Sequence, residues 1–433
     1  MVIASNLLPD LASAQTSRKN WAGNYEYKAE HLQVPGNTGA VQRAVKKAKK
    51  AKALGSRHSF NNIADTAQDQ ISLQKQNDIS LNQDLHQVQV TAGVAYGKLA
   101  PYLHQRGFAV HNLASLPHIS IAGACATGTH GSGNRLGNLS TAVTGLEMVT
   151  HDGEIVRLSR DKDGDQFDGV VVALGALGVV TRVTLNVEKT FEVRQDVYQD
   201  LPFSQLEKNL ETIFSSGYSV SLFTDWQDQK ASQVWIKRRM DQEVKELGPE
   251  FYGAKKATRK LHPLTDHSAE NCTEQLGVAG PWYERLPHFK MDFTPSSGEE
   301  LQSEYFVPRN RAYEAIRAIE TLKAQVVPYL FISELRTIAA DRFWMSPCYQ
   351  RDSLAIHFTW KPHGEEVKRL LPVIEEKLAP FEAKPHWAKL FAMSRSRFEQ
   401  LYPKLPDFQR LMKLYDPIEK FRNEYLERNI ITS

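Results

Sequence analysis

The sequence predicts a two-domain α+β protein, and a change of texture along the chain supports that prediction. Up to about residue 190, short apolar runs alternate with glycine-rich turns, which is typical of strands and short helices joined by loops. Beyond that point glycine becomes scarce, and strand-like runs alternate with amphipathic helical ones. We therefore expect a loose N-terminal extension over 1–19, a first domain over 20–190 and a second over 191–433. The C-terminal segment of the second domain is free to pack back on the first.

Composition narrows the class of protein. The 433 residues are 41% hydrophobic and 24% charged, as in an ordinary globular protein. The formal net charge of +3 gives no argument for nucleic-acid binding. No apolar run approaches the roughly 20 residues of a membrane helix. The first residues lack the basic start of a signal peptide. We expect a cytoplasmic monomer without a membrane segment.

The cysteines favour a reducing compartment. Cys125, Cys272 and Cys348 are odd in number and far apart in the sequence. Neither a zinc site nor a disulfide framework follows from such spacing. Cys125 is best explained as a small packing residue, and we predict no metal site.

Local patterns predict the first elements. Residues 38–51 place Val41, Ala44, Val45, Ala48 and Ala51 at helical spacing, with Thr38 as the N-cap. The five lysines interleaved with them are then expected mainly on the exposed helix face; they are Lys46, Lys47, Lys49, Lys50 and Lys52.

Later patterns predict the rest of the first domain. "HQVQVTAGV" alternates like a strand, and "YGKLAPYLHQRG" reads as a short helix that Gly107 ends. "LEMVTHDGEIVRLS" carries a hairpin signal at Asp152-Gly153. "VVVALGALGVVTRVTL" passes from a helix through Gly175 and Gly178 into a strand.

Two glycine-rich stretches are candidates for a ligand site. "ALGSRHSFNNIADT" spans 53–66, and "SLPHISIAGACATGTHGSGNRLGN" spans 115–138. Glycine lets backbone amides approach an anion closely, and short hydroxyl side chains add donors. Neither stretch matches a Rossmann fingerprint or a Walker A motif. On composition alone, an ordinary turn and a structural loop remain open.

Three segments of the second half combine charged and polar side chains. "ISELRTI" places Glu334 and Arg336 on one strand face, and "LAIHFTW" does the same for His357 and Thr359. "KPHWAKLF" adds Lys389 beside a tryptophan. Taken singly, each pattern is typical of a solvent-facing strand edge.

In this order, the two glycine-rich stretches and "GALGVVTRVTL" resemble the FAD-binding (PCMH-type) domain of vanillyl-alcohol-oxidase-type flavoproteins. Within that superfamily the chain is most similar to the alditol oxidases, and next to the aldonolactone oxidases. The similarity covers 20–190 and 331–391. It implies a two-domain flavoprotein with an α+β substrate domain.

The resemblance implies the residues that hold FAD. The first loop would wrap the pyrophosphate, and the imidazole of His58 would bind the flavin covalently. The second loop would lie along the flavin, and 175–181 would contact the adenine side. His118 is read as structural, and so is His130, although its loop touches the cofactor. The implied cofactor-binding residues are Leu54, Gly55, Ser56, Arg57, His58, Ser59, Phe60, Ser115, Ser120, Gly123, Gly128, Thr129, His130, Gly131, Gly178 and Val180.

The resemblance also implies a polyol site. Lys389 or His357 would take the proton of the reacting hydroxyl, and the choice between them stays open. Arg336 and Glu334 would bind substrate oxygens. Thr359 and Ser120 are the expected hydroxyl partners, with Ser115 as the alternative to Ser120.

The expected activity is FAD-dependent oxidation of the terminal alcohol of an alditol such as xylitol or sorbitol, with O2 reduced to H2O2. An aldonolactone oxidase or dehydrogenase is the alternative, because the Glu-x-Arg pair and "HWAK" also occur there. A non-catalytic protein that binds a nucleotide or sugar is a third, less economical interpretation.

Overall fold

The first sheet is small and parallel. The computed structural model describes residues 18–242, 246–291, 293 and 300–431. Strand β1 (His31–Gln33) pairs with β3 (Asp69–Ser72), which pairs with β2 (Ala51–Leu54). Helix α1 (Thr38–Lys47) makes the crossover that parallel strands require. Most of the predicted N-terminal extension falls outside the described residues.

Helix α1 is shorter than the sequence pattern predicts. Asn37 is the N-cap instead of Thr38, and its side chain accepts from the amide of Ala40. The helix ends at Lys47, and Ala51 already belongs to β2. The apolar spacing continues past the end of the helix, because Ala48 and Ala51 are buried in the following loop and strand. Lys52 is therefore not on an exposed helix face: it is 1% exposed and donates to the carbonyls of Gly175 and Phe421.

A second, antiparallel sheet has the order β4-β5-β9-β7-β8 among the described residues. Three predictions from the sequence are confirmed. "HQVQVTAGV" contains a strand, and "LEMVTHDGEIVRLS" forms a hairpin with Gly153 in the left-handed region (φ 81°). "VVVALGALGVVTRVTL" passes from a helix into a strand. The short helix ends at His104, and Gly107 (φ 80°) closes the turn that follows it. The elements are β4 (Ile79–Asn82), β5 (Gln87–Thr91), α2 (Tyr96–His104), β6 (Phe108–Ala109), α3 (Ile121–Ala126), β7 (Val143–Val149), β8 (Ile155–Ser159), α4 (Arg160–Val171), β9 (Val179–Asn186) and β10 (Glu188–Lys189).

A large sheet occupies the second half of the chain. Its strands follow the order β14-β15-β11-β13-β12-β18-β19-β17-β20 in the described part of the chain, with β16 beside β11. Its elements are β11 (Glu192–Pro202), α5 (Leu206–Phe214), β12 (Ser219–Thr224), β13 (Lys230–Arg239), β14 (Glu250–Phe251), β15 (Ala254–Lys256), β16 (Gly280–Pro281), β17 (Leu301–Pro308), α6 (Ala312–Glu320), α7 (Lys323–Val326), β18 (Leu330–Ile338), β19 (Ser353–Trp360), α8 (Gly364–Leu378) and β20 (Lys384–Pro385).

Two large apolar cores accompany these sheets. One contains Ile316 of α6 and Ile374 of α8, packed with Ile356 of the large sheet. The other joins side chains of the first half, such as Val183, to the last three helices, which contribute Leu426 among others. Those helices are α9 (Arg395–Leu401), α10 (Leu405–Tyr415) and α11 (Glu424–Asn429). The boundary at residue 190 stays a prediction.

Candidate active site

A cavity of about 510 Å³ is lined by residues from both halves of the chain. It brings together most of the side chains that the sequence predicts for cofactor and substrate. The predicted residues in its wall are Leu54, Gly55, Ser56, Arg57, His58, Ser59, Phe60, Ser115, Ser120, Gly123, Thr129, His130, Gly178, Val180, Glu334, Arg336, His357, Thr359 and Lys389.

Two predicted cofactor residues are not in that wall. A Cβ at Gly131 would lie 2.4 Å from Oδ1 of Asn112 and 2.5 Å from the carbonyl oxygen of Leu113. Gly128 has φ 66° and faces Pro347. Both glycines therefore serve the packing and the turn of their loop, and their contact with the cofactor stays a prediction.

The glycine-lined wall suits a large planar ligand. A Cβ at either Gly55 or Gly123 would lie 2.7 Å from Oγ of Ser120, so the two glycines let their loops lie close together. Both glycines also line the cavity, where they present backbone without a side chain. Ser120 donates its amide to Oγ of Ser56 at 3.0 Å, which ties these loops together. The residues present fit FAD, whose flavin and phosphates need such close approach.

His58 lies in an aromatic cluster beside this wall. Its ring centroid is 4.8 Å from that of Trp21 and 4.6 Å from that of His118. Burial, together with the nearby His118 and Arg57, lowers the pKa of His58 to about 3. The imidazole is therefore neutral at physiological pH, which leaves a ring nitrogen with a free electron pair.

The substrate end is built on one row of the large sheet. Glu304 of β17 is directly opposite His357 of β19, which is directly opposite Glu334 of β18. Residues opposite each other on antiparallel strands point to the same face. Arg336 and Thr359 follow two positions along their strands and share that face. The polar strand faces are buried, not solvent-facing edges.

Glu304 is the centre of this polar cluster. Its side chain is 0% exposed, and its Oε1 lies 2.8 Å from Nη2 of Arg336 and 3.3 Å from Nε2 of His130. Its Oε2 accepts from Nζ of Lys389 at 2.6 Å. Burial alone would raise the pKa of Glu304, but Lys389, His130 and Arg336 hold it well below its ordinary value. The carboxylate is therefore ionised.

Lys389 contacts two members of the row. Its Nζ lies 2.6 Å from Oε2 of Glu304 and 2.8 Å from Nδ1 of His357. Burial lowers the pKa of Lys389, against the opposing effect of Glu304. His357 has both ring nitrogens engaged, because its Nε2 lies 3.1 Å from Oγ1 of Thr359. Burial and Lys389 lower the pKa of His357 well below its ordinary value.

Arg336 and Glu334 form the second pair of the cluster. Nε of Arg336 lies 3.5 Å from Oε2 of Glu334. Arg336 also reaches Oγ of Ser115 at 3.4 Å with Nη1. Ser120 lies beside Gly55 and Gly123 instead. Both serines line the cavity, and the choice of Ser120 with Ser115 as the alternative stays a prediction.

The lysine loop is joined directly to the loop that carries His58. The side-chain amide of Asn61 donates to the carbonyls of Trp387 and Lys389, both at 2.8 Å. The amide of Phe60 donates to the carbonyl of Ala388 at 2.7 Å. Three hydrogen bonds therefore fix the spacing between the two loops.

Sequence reasoning missed several residues of the cavity. Glu304 and His288 were not predicted. Glu304 directly precedes the apolar run "YFVP", and a charged residue next to such a run is a signal that could have indicated a buried functional group. Lys52 also lines the wall. The sequence predicts no role for residues 245–275, yet this stretch contributes His262, Leu264 and His267 to the cavity wall. Nothing local in that irregular stretch indicates this position.

Two other findings bear on the site. In the described ranges, no group of three or more His, Cys, Asp or Glu side chains is placed to hold a metal ion. No helix in the described part of the chain is long and apolar enough to span a membrane.

Comparison with known proteins identifies the class of enzyme to which this chain belongs. Residues 29–159 match the family model of an FAD binding domain, and 293–429 match that of D-arabinono-1,4-lactone oxidase. Cholesterol oxidase from Brevibacterium sterolicum superposes with a TM-score of 0.78 over 96% of each chain, at 14% identity. The solvent-stable cholesterol oxidase gives 0.77 over 95% of this chain and 96% of that one, at 13% identity. The protein is an FAD-dependent oxidoreductase with the vanillyl-alcohol-oxidase fold.

Sequence relatives narrow the family. The alditol oxidase of Streptomyces sp. is 44% identical over 95% of this chain and 98% of its own. The chain belongs to the alditol oxidase family. L-gulono-1,4-lactone dehydrogenase of Mycobacterium tuberculosis is 27% identical over 90% of this chain and 92% of its own. L-gulonolactone oxidase of Mus musculus is 26% identical over 95% and 97%.

Proposed function

We propose that the protein oxidises the terminal primary alcohol of alditols such as xylitol and sorbitol to the aldose, and that O2 is reduced to H2O2. One observation carries the proposal: a buried lysine bonded to a carboxylate and a histidine shares a cavity with the glycine-lined cofactor wall. The 44% identity to an alditol oxidase over nearly the whole chain supports the substrate class.

The cofactor is held by this chain's glycine-rich loops. Bound FAD supplies a hydride acceptor and the route by which electrons reach O2. Gly55 and Gly123 keep the wall free of side chains, and Ser56 fixes one loop against the other. His58 is the residue that would hold the flavin covalently, through its imidazole. The lowered pKa of His58 supports this role, since only a neutral imidazole is nucleophilic.

Lys389 accepts the proton of the reacting hydroxyl. A neutral amine has two N–H groups and one electron pair. The two N–H groups of Lys389 donate to Glu304 and to Nδ1 of His357, so the electron pair is left for the substrate proton. Glu304 then stabilises the ammonium that forms. His357 is a poorer base, because Lys389 and Thr359 occupy both of its ring nitrogens.

The other hydroxyls of the polyol need paired donors and acceptors, since an unpaired buried hydroxyl is costly. Arg336 donates, and Glu334 accepts. Ser115 and Thr359 add hydroxyl groups at two ends of the cluster. This set of fixed polar groups suits a substrate with several hydroxyls.

A second candidate is oxidation of an aldonolactone. It is favoured by the match of 293–429 to the D-arabinono-1,4-lactone oxidase family model. Against it, the two lactone-named relatives reported above are 27% and 26% identical, well below the alditol oxidase.

The deciding experiment compares substrates on the purified holoenzyme. Peroxide formation and anaerobic bleaching of the flavin are followed with xylitol, sorbitol and L-gulono-1,4-lactone. Alditols are expected to give both signals at lower concentration than the lactone. Activity on the lactone alone would exclude alditol oxidation. A colourless protein that takes up no FAD would exclude both.

We also propose a monomeric enzyme of the cytoplasm. Cys125, Cys272 and Cys348 are all free and buried, which suits a reducing compartment. Gel filtration with light scattering and fractionation of the source cells test the two statements.

A further inference from the structure

A buried histidine outside the predicted site touches the carboxylate of Glu334. Nε2 of His288 lies 2.7 Å from Oε1 of Glu334, and its Nδ1 lies 3.3 Å from Nζ of Lys237. His288 comes from the irregular segment that follows β16, and Lys237 from β13. We infer that His288 is a positioning residue for substrate binding, which holds Glu334 in the orientation that accepts polyol hydroxyls. This inference rests on the proposed function.

The partners of His288 define its tautomer. An ionised carboxylate only accepts hydrogen bonds, so Nε2 of His288 carries the proton and donates to Glu334. Burial lowers the pKa of His288, so the ring is neutral; with its proton on Nε2, its Nδ1 is an acceptor and accepts from Nζ of Lys237. The remaining donors of Lys237 go to the carbonyls of Leu286 and Pro287, at 2.5 Å and 3.1 Å. Lys237 thus anchors both the imidazole and the backbone that carries it.

Packing holds the ring in this orientation. The rings of Phe223 and Trp235 meet it edge to face, with centroids at 5.5 Å and 5.2 Å. Thr273 donates its amide to the carbonyl of His288 at 3.0 Å and its hydroxyl to that of Pro287 at 2.8 Å. A ring held by two aromatic contacts and at both nitrogens presents one N–H in one direction.

His288 determines how the two carboxylate oxygens of Glu334 are oriented. Its Oε1 is taken by His288, and its Oε2 faces Nε of Arg336 at 3.5 Å. Without His288 the carboxylate would lose its shortest hydrogen bond and could rotate toward Arg336. Substrate binding would weaken, while Lys389, Glu304 and His357 would keep their contacts. The expected loss is therefore in affinity rather than in the chemical step.

The test uses three variants of the holoenzyme in anaerobic flavin reduction by xylitol. His288→Leu removes the donor. His288→Gln keeps an N–H near the position of Nε2. Thr273→Val is the matched control, because it loosens the same backbone without touching the bond to Glu334. The flavin absorption spectrum and the melting temperature establish that each variant is folded and loaded.

For His288→Leu we expect the xylitol Kd to rise about tenfold, because a hydrogen bond to a charged group is lost. The limiting reduction rate should stay within about threefold. His288→Gln and Thr273→Val should keep the Kd within about threefold.

Equal xylitol Kd values for His288→Leu and wild type would overturn the inference. So would a rise in Kd for Thr273→Val as large as that for His288→Leu. A Kd for His288→Gln as high as that for His288→Leu would overturn it as well. Loss of the limiting rate at unchanged Kd would overturn it too. If xylitol and sorbitol fail to reduce the wild-type flavin, the proposed function fails first, and the inference falls with it.

Discussion

Nζ of Lys389 lies 2.6 Å from Oε2 of Glu304, a carboxylate whose own side chain is fully buried. Two opposing effects act on the lysine. Burial lowers its pKa, and Glu304 raises it. The carboxylate thus opposes the effect of burial on the lysine, as the proposed role of Lys389 in taking up and releasing a proton requires.

Lys389→Met is expected to keep the flavin and lose the reaction. The methionine fills the space but has no electron pair for the hydroxyl proton. Flavin reduction by xylitol under anaerobic conditions should slow about 10²- to 10⁴-fold, as expected for loss of a general base. Lys361→Met, at a lysine outside the cavity wall, is the control and should reduce at the wild-type rate. Near-normal reduction of Lys389→Met would remove this residue from the mechanism.

The limiting rate of flavin reduction should rise with pH. The neutral amine is the active form, so the rate follows loss of the proton from the Lys389 cluster. The apparent pKa should lie below the ordinary value for lysine, because burial lowers the pKa of Lys389. Stopped-flow reduction across the pH range of stability measures it. A rate that falls with rising pH would contradict this role.

Glu304→Gln should move that pH profile toward lower pH. The negative charge of Glu304 favours the protonated lysine, so its removal lowers the pKa further. The variant should also be less stable, because the buried Arg336 loses a charged partner. Glu365→Gln, on the exposed end of α8, is the isosteric control. An unchanged or raised apparent pKa would show that Glu304 does not set the charge of the lysine.

His58→Ala should separate cofactor binding from cofactor attachment. FAD added to the variant is expected to bind without a covalent bond, because the glycine-lined wall is intact. Acid precipitation should then release the yellow colour, whereas the wild-type pellet keeps it. Fluorescence of the denatured protein band checks the same point. Colour retained by the His58→Ala pellet would place the attachment on another residue.

Gly131→Ala should destabilise the fold without a direct effect on the cofactor. The added Cβ would press on the side chain of Asn112 and the backbone of Leu113, at a cost of about 1–3 kcal/mol. Gly36→Ala is the matched control, since no atom lies within 4 Å of its Cβ position. Thermal unfolding of the two holoproteins compares them. Equal melting temperatures would contradict the packing role of Gly131.

Local sequence pattern predicted those site residues whose partners are close in sequence. Strand alternation placed Glu334 with Arg336, and His357 with Thr359, because a two-residue period is a local property. The resemblance to flavoproteins supplied their roles. Strand alternation alone could not show that these faces are buried, since burial depends on what covers the sheet.

Residues joined by register between distant strands were missed. Glu304 meets His357 and Glu334 only because β17, β19 and β18 pair at one particular offset. A shift of one residue would turn Glu304 to the opposite face. The prediction that Lys52 lies on an exposed helix face was wrong for a related reason. The apolar spacing of α1 continues into β2, so the sequence pattern does not show where the helix ends.

The three hydrogen bonds from Phe60 and Asn61 to the backbone of 387–389 bear on how this family can diversify. They fix the backbone of Lys389, the proposed base, directly to the loop that carries His58. Substitutions around His262 and His267 can therefore change the shape of the chamber while the reacting groups keep their spacing. Cavity shape and the spacing of the proposed reacting groups thus depend on different segments of the chain.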